Sequence, residues 1–328
     1  MNPLIEINNL STYFHTGAGT VKAVDDISFR IREGETVCIV GESGCGKSIT
    51  AMSIMGLVEG PHGKVVDGQI RFGGKDLLKL GKEEMRRIRG NDISIIFQEP
   101  MSSLNPVIRI GKQIMEPLML HRGLNKKQAH ARALELIEMV GIPRAEQIAA
   151  SYPHELSGGM LQRIMIAIAI SCDPKLLIAD EPTTALDVTI QAQVLETLRQ
   201  SKEQSNMSIL LITHDLGVVA EMADYVIVMY AGKIVEESNV VELFERPQHP
   251  YTRGLLKSKP VIGQRMEQLY SIPGQVPNPL ELTDDLCAFH DRCEHGMAIC
   301  RTRQPQLKQT EAGRQVACWL YDEEVPHE

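Results

Sequence analysis

The sequence lacks any long apolar run. No stretch of its 328 residues approaches the roughly 18–20 consecutive apolar residues that a membrane-spanning helix needs. Residues 1–6 lack the basic and apolar regions of a secretory signal peptide, so we expect the chain to stay in the cytosol. An excess of positive charge is missing too: 34 Lys and Arg face 42 Asp and Glu, which gives a net charge of −8. This balance argues against a chain built to lie along nucleic acid.

Closely spaced cysteine pairs are also missing. The seven cysteines include no C-x-x-C pair, and without an export signal they predict reduced thiols or metal ligands rather than disulfides. What is present is ordinary for a globular protein with a sizeable core, with 43% hydrophobic and 23% charged residues. The length allows two or more domains.

Apolar runs of two kinds predict an α/β fold. Residues 5–10 and 24–31 alternate loosely, which is typical of half-buried antiparallel strands. Continuous apolar runs, typical of buried strands, occur at 36–40, 176–179, 209–212 and 226–229. We expect a sheet with helices on both faces.

Two further segments of the sequence, about residues 92–155 and residues 246–328, differ from these strand-rich parts in residue pattern and composition. Helical spacing from Asn125, a plausible N-cap, to Gly141 predicts a helix, and we assign about residues 92–155 to a helical subdomain. After Glu245, Pro and Gly become dense and four cysteines follow. The sequence therefore predicts a first domain over 1–245 and a C-terminal extension over 246–328.

A phosphate-binding pattern follows the first buried strand. The segment matches G-x-x-x-x-G-K-[ST] and consists of Gly41, Glu42, Ser43, Gly44, Cys45, Gly46, Lys47 and Ser48. A helix from about 47 to 56 gives the strand–loop–helix context in which backbone N–H groups and Lys47 hold phosphates, with Ser48 available to Mg²⁺. The alternative is an ordinary glycine-rich turn. Cys45 lies close to Lys47 and to a helix N-terminus, so we expect its thiolate to be favoured.

Two further features suit phosphate chemistry. Asp180 and Glu181 follow a strand, where the first carboxylate would hold Mg²⁺ and the second would act on an attacking water, although adjacent acids also occur at solvated strand ends. Ser157, Gly158 and Gly159 form a second glycine-rich loop before a helical run. One phosphate group needs only one such loop, so the second loop calls for a separate explanation.

These motifs resemble those of the nucleotide-binding subunits of ATP-binding-cassette (ABC) transporters. The resemblance implies that the 157–159 loop closes over ATP held by a partner, that Gln98 reaches Mg²⁺ or water, and that His214 contacts the γ-phosphate. It also implies that Tyr13 or Phe14 stacks on adenine, and we leave that choice open. Met160 stands where the family most often has Gln, and we expect it to alter fit more than chemistry.

The C-terminal segment extends the resemblance nearly end to end. Residues 246–252 and 274–277 and the cysteine-bearing tail resemble the extension of oligopeptide, dipeptide and nickel importer ATPases, with dipeptide importers nearest. The resemblance implies one [4Fe–4S] cluster on four ligands: Cys287, Cys293, Cys300 and Cys318. Zinc, with His290 or His295 as a substitute ligand, and unligated thiols are the alternatives.

The expected function is ATP hydrolysis that powers import of dipeptides or short peptides by nucleotide-driven dimer closure. Expected partners are a second homologous ATPase in a heterodimer, two integral membrane permease subunits and, through them, a periplasmic peptide-binding protein, at the cytoplasmic face of the bacterial inner membrane. One alternative is a soluble cassette ATPase of DNA repair or translation, which would need a coiled-coil insertion or a tandem cassette. Another is a redox-sensing regulatory ATPase. No residue identifies the transported molecule.

Overall fold

A computed structural model describes residues 3–58, 60, 62–184, 186–258, 270–283, 285–311 and 313–322. The chain forms two compact units, each built from several segments. The first unit comprises Met1–Leu4, Ile31–Thr36 and Asp76–Ile212. The second unit comprises Ile5–Arg30, Val37–Lys75 and Thr213–Glu328.

Strands and helices alternate along most of the chain. The strands are β1 (Pro3–Thr16), β2 (Gly19–Arg32), β3 (Thr36–Val40), β4 (Gly63–Phe72), β5 (Lys75–Asp76), β6 (Ile93–Ile96), β7 (Leu176–Asp180), β8 (Ser208–Ile212), β9 (Tyr225–Tyr230), β10 (Lys233–Asn239), β11 (Lys308–Glu311) and β12 (Arg314–Val316). The helices are α1 (Lys47–Ile54), α2 (Lys82–Ile88), α3 (Pro100–Ser103), α4 (Ile110–His121), α5 (Lys126–Met139), α6 (Ala145–Ala150), α7 (Gly158–Ile170), α8 (Val188–Ser205), α9 (Leu216–Met222), α10 (Val240–Glu245) and α11 (Pro250–Lys257). The predicted α/β fold is confirmed.

The second unit contains strands of both predicted kinds. Strand β1 pairs antiparallel with β4, from Ile5 opposite Phe72 to Phe14 opposite Gly63, and its apolar side chains at 5, 7 and 10 are buried. Strand β3 is buried along its whole length and pairs in parallel with β9. A parallel strand covered on both faces has no solvated side to alternate with, which explains its continuous apolar run.

The first unit holds three parallel strands in the order β8–β7–β6. Strand β6 occupies Ile93–Ile96, inside the range assigned to the helical subdomain, and the helices of that range begin only at Pro100. The predicted N-cap is confirmed, because the Asn125 side chain accepts a hydrogen bond from the Gln128 backbone N–H and the Gln128 side chain accepts one from the Asn125 backbone N–H.

The C-terminal extension is largely irregular after α11, as its proline content predicts. Short 3₁₀ turns and the small strands β11 and β12 are its regular elements among residues 270–322. Strand β12 pairs with β10, placing Val316 opposite Glu236. The predicted boundary after Glu245 falls between α10 and α11, within the second unit, and stays a prediction; residues 259–269 and 323–328 of the extension lie outside the described residues. In the part of the chain that the structure describes, every helix is too short or too polar to cross a bilayer.

Candidate nucleotide-binding site

The phosphate loop connects β3 to α1, as predicted. Two of its glycines cannot be replaced without displacing backbone. At Gly41 an added Cβ would lie 2.3 Å from the Met229 carbonyl oxygen, and at Gly46, where φ is +102°, it would lie 2.3 Å from the Ala23 carbonyl oxygen. The loop is therefore packed tightly against neighbouring backbone on its inner side.

Lys47 is the cation of this loop. It begins α1, is 6% exposed, and its Nζ donates to the carbonyl oxygens of Gly41 at 2.8 Å and Glu42 at 3.0 Å. The first turn of α1 contains no acidic residue, so the positive end of the helix is uncompensated by its own side chains. A lysine, a helix N-terminus and a run of backbone N–H groups suit an anionic polyphosphate.

The expectation for Cys45 is wrong. Its side chain is buried within the loop, and burial raises the pKa of the thiol even though Lys47 Nζ lies 3.7 Å from the sulfur. Desolvation of the thiolate outweighs the attraction of one neighbouring cation.

Glu181 and Gln98 are brought together in the first unit. The Gln98 amide Nε2 donates to Glu181 Oε2 at 3.1 Å, although 83 residues separate them. Asp180 ends β7 and is 7% exposed, and the Glu181 backbone N–H donates to the Ile212 carbonyl at the end of β8. Glu181 has φ of +49°, a conformation unusual for a non-glycine residue and common at functional sites.

Thr184 is a functional candidate that the sequence analysis missed. Its Oγ1 donates to Glu181 Oε2 at 2.8 Å, the same oxygen that accepts from Gln98. The available signal was two hydroxyl-bearing residues, Thr183 and Thr184, separated from the acidic pair only by Pro182. Two donors on one oxygen fix the orientation of the carboxylate.

His214 follows β8 at an exposed position. The preceding Thr213 N–H donates to the Ile39 carbonyl at 3.2 Å, which places His214 beside the strand that leads into the phosphate loop. Capping is done by its neighbours: Asp215 accepts from the Gly217 N–H and caps α9, and Thr213 Oγ1 accepts from the Asp215 N–H.

The second glycine-rich loop begins α7. Ser157 caps the helix by accepting from the Met160 backbone N–H at 3.4 Å, so this cap depends on no property of the Met160 side chain. Gly158 is exposed, and a Cβ added there would meet no atom within 4 Å. Like α1, α7 has no acidic residue in its first turn. Ser157 and Gly158 thus form an open, exposed helix N-terminus suited to an anion.

The two candidate adenine-stacking rings differ in their surroundings. The Tyr13 hydroxyl donates to Asp25 at 2.6 Å, and the Lys22 ammonium lies 5.6 Å from the Tyr13 ring centroid. Phe14 is half-buried, and a Cβ added at Gly63 would lie 2.6 Å from its ring. Tyr13 is held by polar partners, whereas Phe14 packs by contact with a glycine.

The four cysteines of the extension lie around one cavity. The cavity has about 310 Å³ of empty space, part of it open to solvent, and the apolar side chains of Phe289, Trp319 and Leu320 share its wall. The four cysteines that line it are Cys287, Cys293, Cys300 and Cys318. The Cys287 N–H donates to the Cys300 carbonyl at 2.9 Å, which ties two of them together through the backbone.

Three of these sulfurs share a hydrogen-bonding pattern. Each accepts from the backbone N–H two residues later: Cys287 from Phe289, Cys293 from His295 and Cys318 from Leu320. Burial nevertheless raises the pKa of Cys293 and raises those of Cys287 and Cys318 to about 12. A bound cation would favour the thiolates that burial disfavours.

A single-ion site is not formed by these side chains. Among the residues that the structure describes, no group of three or more His, Cys, Asp or Glu could hold a metal ion. This includes the zinc alternative with His290 or His295, since tetrahedral zinc needs its ligands gathered within bond lengths of about 2.0–2.3 Å.

Family comparisons match both parts of the chain. The family described as ABC transporter matches residues 24–184. The family described as oligopeptide/dipeptide transporter, C-terminal region, matches residues 235–300. The second match spans α10, α11 and three of the four cysteines.

Two full-length relatives agree with these matches. The chain is 57% identical to the oligopeptide transport ATP-binding protein AppD of Bacillus subtilis (strain 168), over 99% of this chain and 98% of AppD. It is 48% identical to the dipeptide transport ATP-binding protein DppD of the same organism, over 100% of this chain and 97% of DppD. These comparisons favour neither the DNA-repair or translation alternative nor the redox-regulator alternative.

Solved structures are similar over about three quarters of the chain. The cassette MJ0796, in a dimeric post-hydrolysis state bound to ADP and Pi, is 28% identical with a TM-score of 0.65, covering 72% of this chain and 98% of that one. CbiO1 from Clostridium perfringens, part of the ABC transporter complex cbiONQ, is 25% identical with a TM-score of 0.62, covering 75% and 93%.

Proposed function

Because this chain belongs to the family of ABC transporter ATP-binding proteins that carry the oligopeptide/dipeptide C-terminal region, we propose that it hydrolyses ATP to power import of dipeptides or short peptides. The observation that carries the proposal is the phosphate loop. Lys47, the N-terminus of α1 and the constrained glycines form one anion cradle in a chain whose relatives match it end to end. We infer that the ATP-hydrolysing domain covers 1–245 and the extension 246–328.

Within each unit, the residues have distinct roles in hydrolysis. The backbone of 41–48 and Lys47 bind the β- and γ-phosphates. Ser48, Gln98 and Asp180 are oxygen donors of the kind that would hold Mg²⁺, which when bound would offset phosphate charge. Glu181 takes a proton from the attacking water, with its carboxylate oriented by Gln98 and Thr184. His214 contacts the γ-phosphate.

The 157–159 loop serves a partner's nucleotide. Its exposed helix N-terminus and the space around Gly158 support a phosphate that comes from outside this chain. We infer that two cassettes close over two ATP molecules, and that the partner is a second, homologous ATPase in a heterodimer. Closure then moves two integral membrane permease subunits, which receive peptide from a periplasmic binding protein.

Phe14 is the better candidate for adenine stacking. Tyr13 is engaged by Asp25 through its hydroxyl and by Lys22 near its ring. Phe14 has no polar atom to satisfy and keeps part of its surface exposed. An apolar, partly exposed ring is free to accept a base on its face.

The four cysteines are proposed to hold one [4Fe–4S] cluster with a structural role. Three observations support the fit: all four line one cavity, its wall is largely apolar, and three sulfurs accept backbone N–H groups, which stabilise thiolate. When bound, the cluster would supply folding energy to a segment with little regular structure.

Copurification tests the proposed function. Expressed in its native genomic context with an affinity tag, the chain should bring two integral membrane proteins and a second cassette ATPase with it from membranes of the bacterium. We place it at the cytoplasmic face of the inner membrane, without nucleic acid. Recovery of the tagged chain alone, or with DNA-repair or ribosomal proteins, would overturn the proposal.

A further inference from the structure

A buried arginine of the extension binds the phosphate loop directly. Arg292 Nη1 donates to Glu42 Oε2 at 2.7 Å, and its Nη2 donates to Glu42 Oε1 at 3.0 Å. The Arg292 side chain is 5% exposed and that of Glu42 is 30% exposed. The bidentate bond, with burial acting against it, raises the pKa of Arg292. Two parallel charge-assisted hydrogen bonds fix both the distance and the orientation of the Glu42 carboxylate.

Glu42 is also held through its backbone. Its N–H donates to the Tyr251 hydroxyl at 2.8 Å, and its carbonyl accepts from Lys47 Nζ at 3.0 Å. Tyr251 is fully buried, in the first turn of α11. All the polar groups of Glu42 are thus bonded, and two of the three partners come from beyond residue 246.

The two external partners share one buried support. The rings of Tyr230, Tyr251 and Phe289 form a cluster with centroids 4.7–5.4 Å apart, and each residue is at most 3% exposed. The Arg292 guanidinium lies 5.8 Å from the Tyr230 ring centroid and 5.9 Å from that of Phe289. Close aromatic packing leaves Arg292 and Tyr251 little freedom to move away from Glu42.

The position of Arg292 in the chain connects this support to the cysteine cavity. Phe289 and Arg292 lie between Cys287 and Cys293, both of which line that cavity. Arg292 Nε donates to the Pro273 carbonyl at 2.9 Å, which holds the preceding proline-rich segment as well. The extension therefore supplies contacts that reach the phosphate loop.

We propose that Arg292 and Tyr251 are positioning residues for the phosphate loop, and that Arg292 also neutralises the Glu42 carboxylate so that the loop accepts a polyphosphate. The inference rests on the proposed function, because it assumes that nucleotide binds this loop. Neither residue touches the reacting atoms. The C-terminal extension thus contributes residues that position the nucleotide-binding loop.

The opposite charges of Arg292 and Glu42 predict that the effect of losing one depends on the presence of the other. With Arg292 absent, the loop would carry an uncompensated carboxylate next to an anionic ligand, which weakens binding. Removing the Glu42 charge as well should then recover affinity. A residue that only stabilised the fold would show no such recovery, since a second substitution would not repair the first.

A double-mutant cycle tests this on the full-length chain with MgADP, which occupies the loop without turnover. Calorimetric titration compares wild type, Arg292→Gln, Glu42→Gln and the double variant. We expect Arg292→Gln to weaken binding about tenfold in the wild-type background and less than about threefold in the Glu42→Gln background. Arg292→Lys keeps the positive charge but cannot form the bidentate hydrogen bond, so its MgADP affinity should lie between those of wild type and Arg292→Gln.

Each other outcome overturns the inference in a distinguishable way. Equal losses in the two backgrounds, or no loss at all, contradict the positioning role while leaving the proposed function intact. Absence of MgADP binding by the wild type overturns the proposed function and this inference together. If Arg292→Gln does not fold, the same cycle is measured with Arg292→Lys, and an absence of coupling there contradicts the inference.

A matched pair of tyrosine variants tests the contribution of the Tyr251 hydroxyl. Tyr251→Phe removes the hydroxyl that accepts from the Glu42 N–H and keeps the ring, so we expect MgADP affinity to fall about threefold to tenfold. Tyr321→Phe removes a hydroxyl bonded to Arg253 and to the Gln248 carbonyl in the same extension. It should leave affinity unchanged, and equal effects of the two variants would contradict the role of Tyr251.

Discussion

Gln98 and Thr184 donate to the same carboxylate oxygen, Glu181 Oε2, at 3.1 and 2.8 Å. The shared acceptor fixes the rotation of a side chain whose backbone already has a left-handed φ of +49°. A carboxylate held from two sides at a constrained position is suited to a base that must meet its water in one geometry.

Lys47 and Glu181 should separate nucleotide binding from hydrolysis. Lys47→Ala removes the loop cation and should abolish tight MgATP binding, whereas Glu181→Gln keeps the shape of the side chain and should retain binding while turnover falls about 10²–10⁴-fold. Both variants are measured in the assembled complex by nucleotide binding and phosphate release. Hydrolysis by Glu181→Gln at the wild-type rate would show that another group is the base.

The 157–159 loop should affect closure without affecting this chain's own nucleotide. A Cβ at Gly158 meets no atom within 4 Å, so Gly158→Asp is tolerated by the fold and places a negative charge at a helix N-terminus. MgATP affinity of this chain should stay at the wild-type value, while nucleotide-dependent cross-linking between the two cassettes is lost.

Gly158→Asn is the matched neutral control for that variant. It should lose less cross-linking than Gly158→Asp, because the partner's phosphates repel the carboxylate and not the amide. A fall in this chain's own MgATP affinity would contradict the assignment of the loop to the partner.

Glu237 in β10 should make stability depend on pH. Burial raises its pKa from 4.5 to about 7, with Tyr225, Arg30 and Gln315 acting against that rise. Between these values the unfolded chain loses the proton and the folded chain keeps it, so stability falls as pH rises from 4.5 to 7. Glu237→Gln removes this dependence. The unfolding free energy of the variant minus that of wild type should therefore increase by about 1–3 kcal/mol as the pH rises from 4.5 to 8.

Denaturant unfolding at several pH values checks this difference. His249, whose pKa burial lowers to about 3, gives the opposite slope, since stability falls as pH falls from 6.5 to 3. That contribution is common to both proteins and cancels in the difference. The exposed Glu245→Gln serves as control, and a Glu237→Gln curve parallel to wild type would contradict the prediction.

The cysteine cavity predicts a coloured protein. Purified without oxygen, the chain should be brown and contain about four irons and four sulfides, and Cys300→Ser should bleach it. Cys172→Ser changes a buried cysteine of the first unit and should leave iron content unchanged. ATP hydrolysis should survive Cys300→Ser at least in part. Stoichiometric zinc, or protein without metal, would contradict the cluster.

The local features of the site could be predicted from sequence. The phosphate loop depends on glycines and on one buried strand, and the helix cap at Asn125 depends on residues three apart. Strand β6 lies inside the range assigned to the helical subdomain because a four-residue segment of three isoleucines and Ser94 has no distinguishing period, and its pairing with β7 decides its structure.

The contacts between distant segments could not be predicted in the same way. The bond between Gln98 and Glu181 depends on parallel pairing of β6 with β7, and the Arg292–Glu42 pair joins residues 250 apart. An arginine between two cysteines has no sequence pattern that identifies its partner. The raised pKa of Cys45 likewise depends on burial, which the loop motif does not determine.

Peptide uptake by proteoliposomes tests the central claim most directly. The complex copurified with this chain is reconstituted with ATP inside the vesicles and a labelled dipeptide with its binding protein outside. The account predicts that uptake and ATP hydrolysis rise together when the peptide is added, and that Glu181→Gln in this chain suppresses both. Uptake at the wild-type rate with Glu181→Gln, or hydrolysis that does not respond to any short peptide, would contradict it.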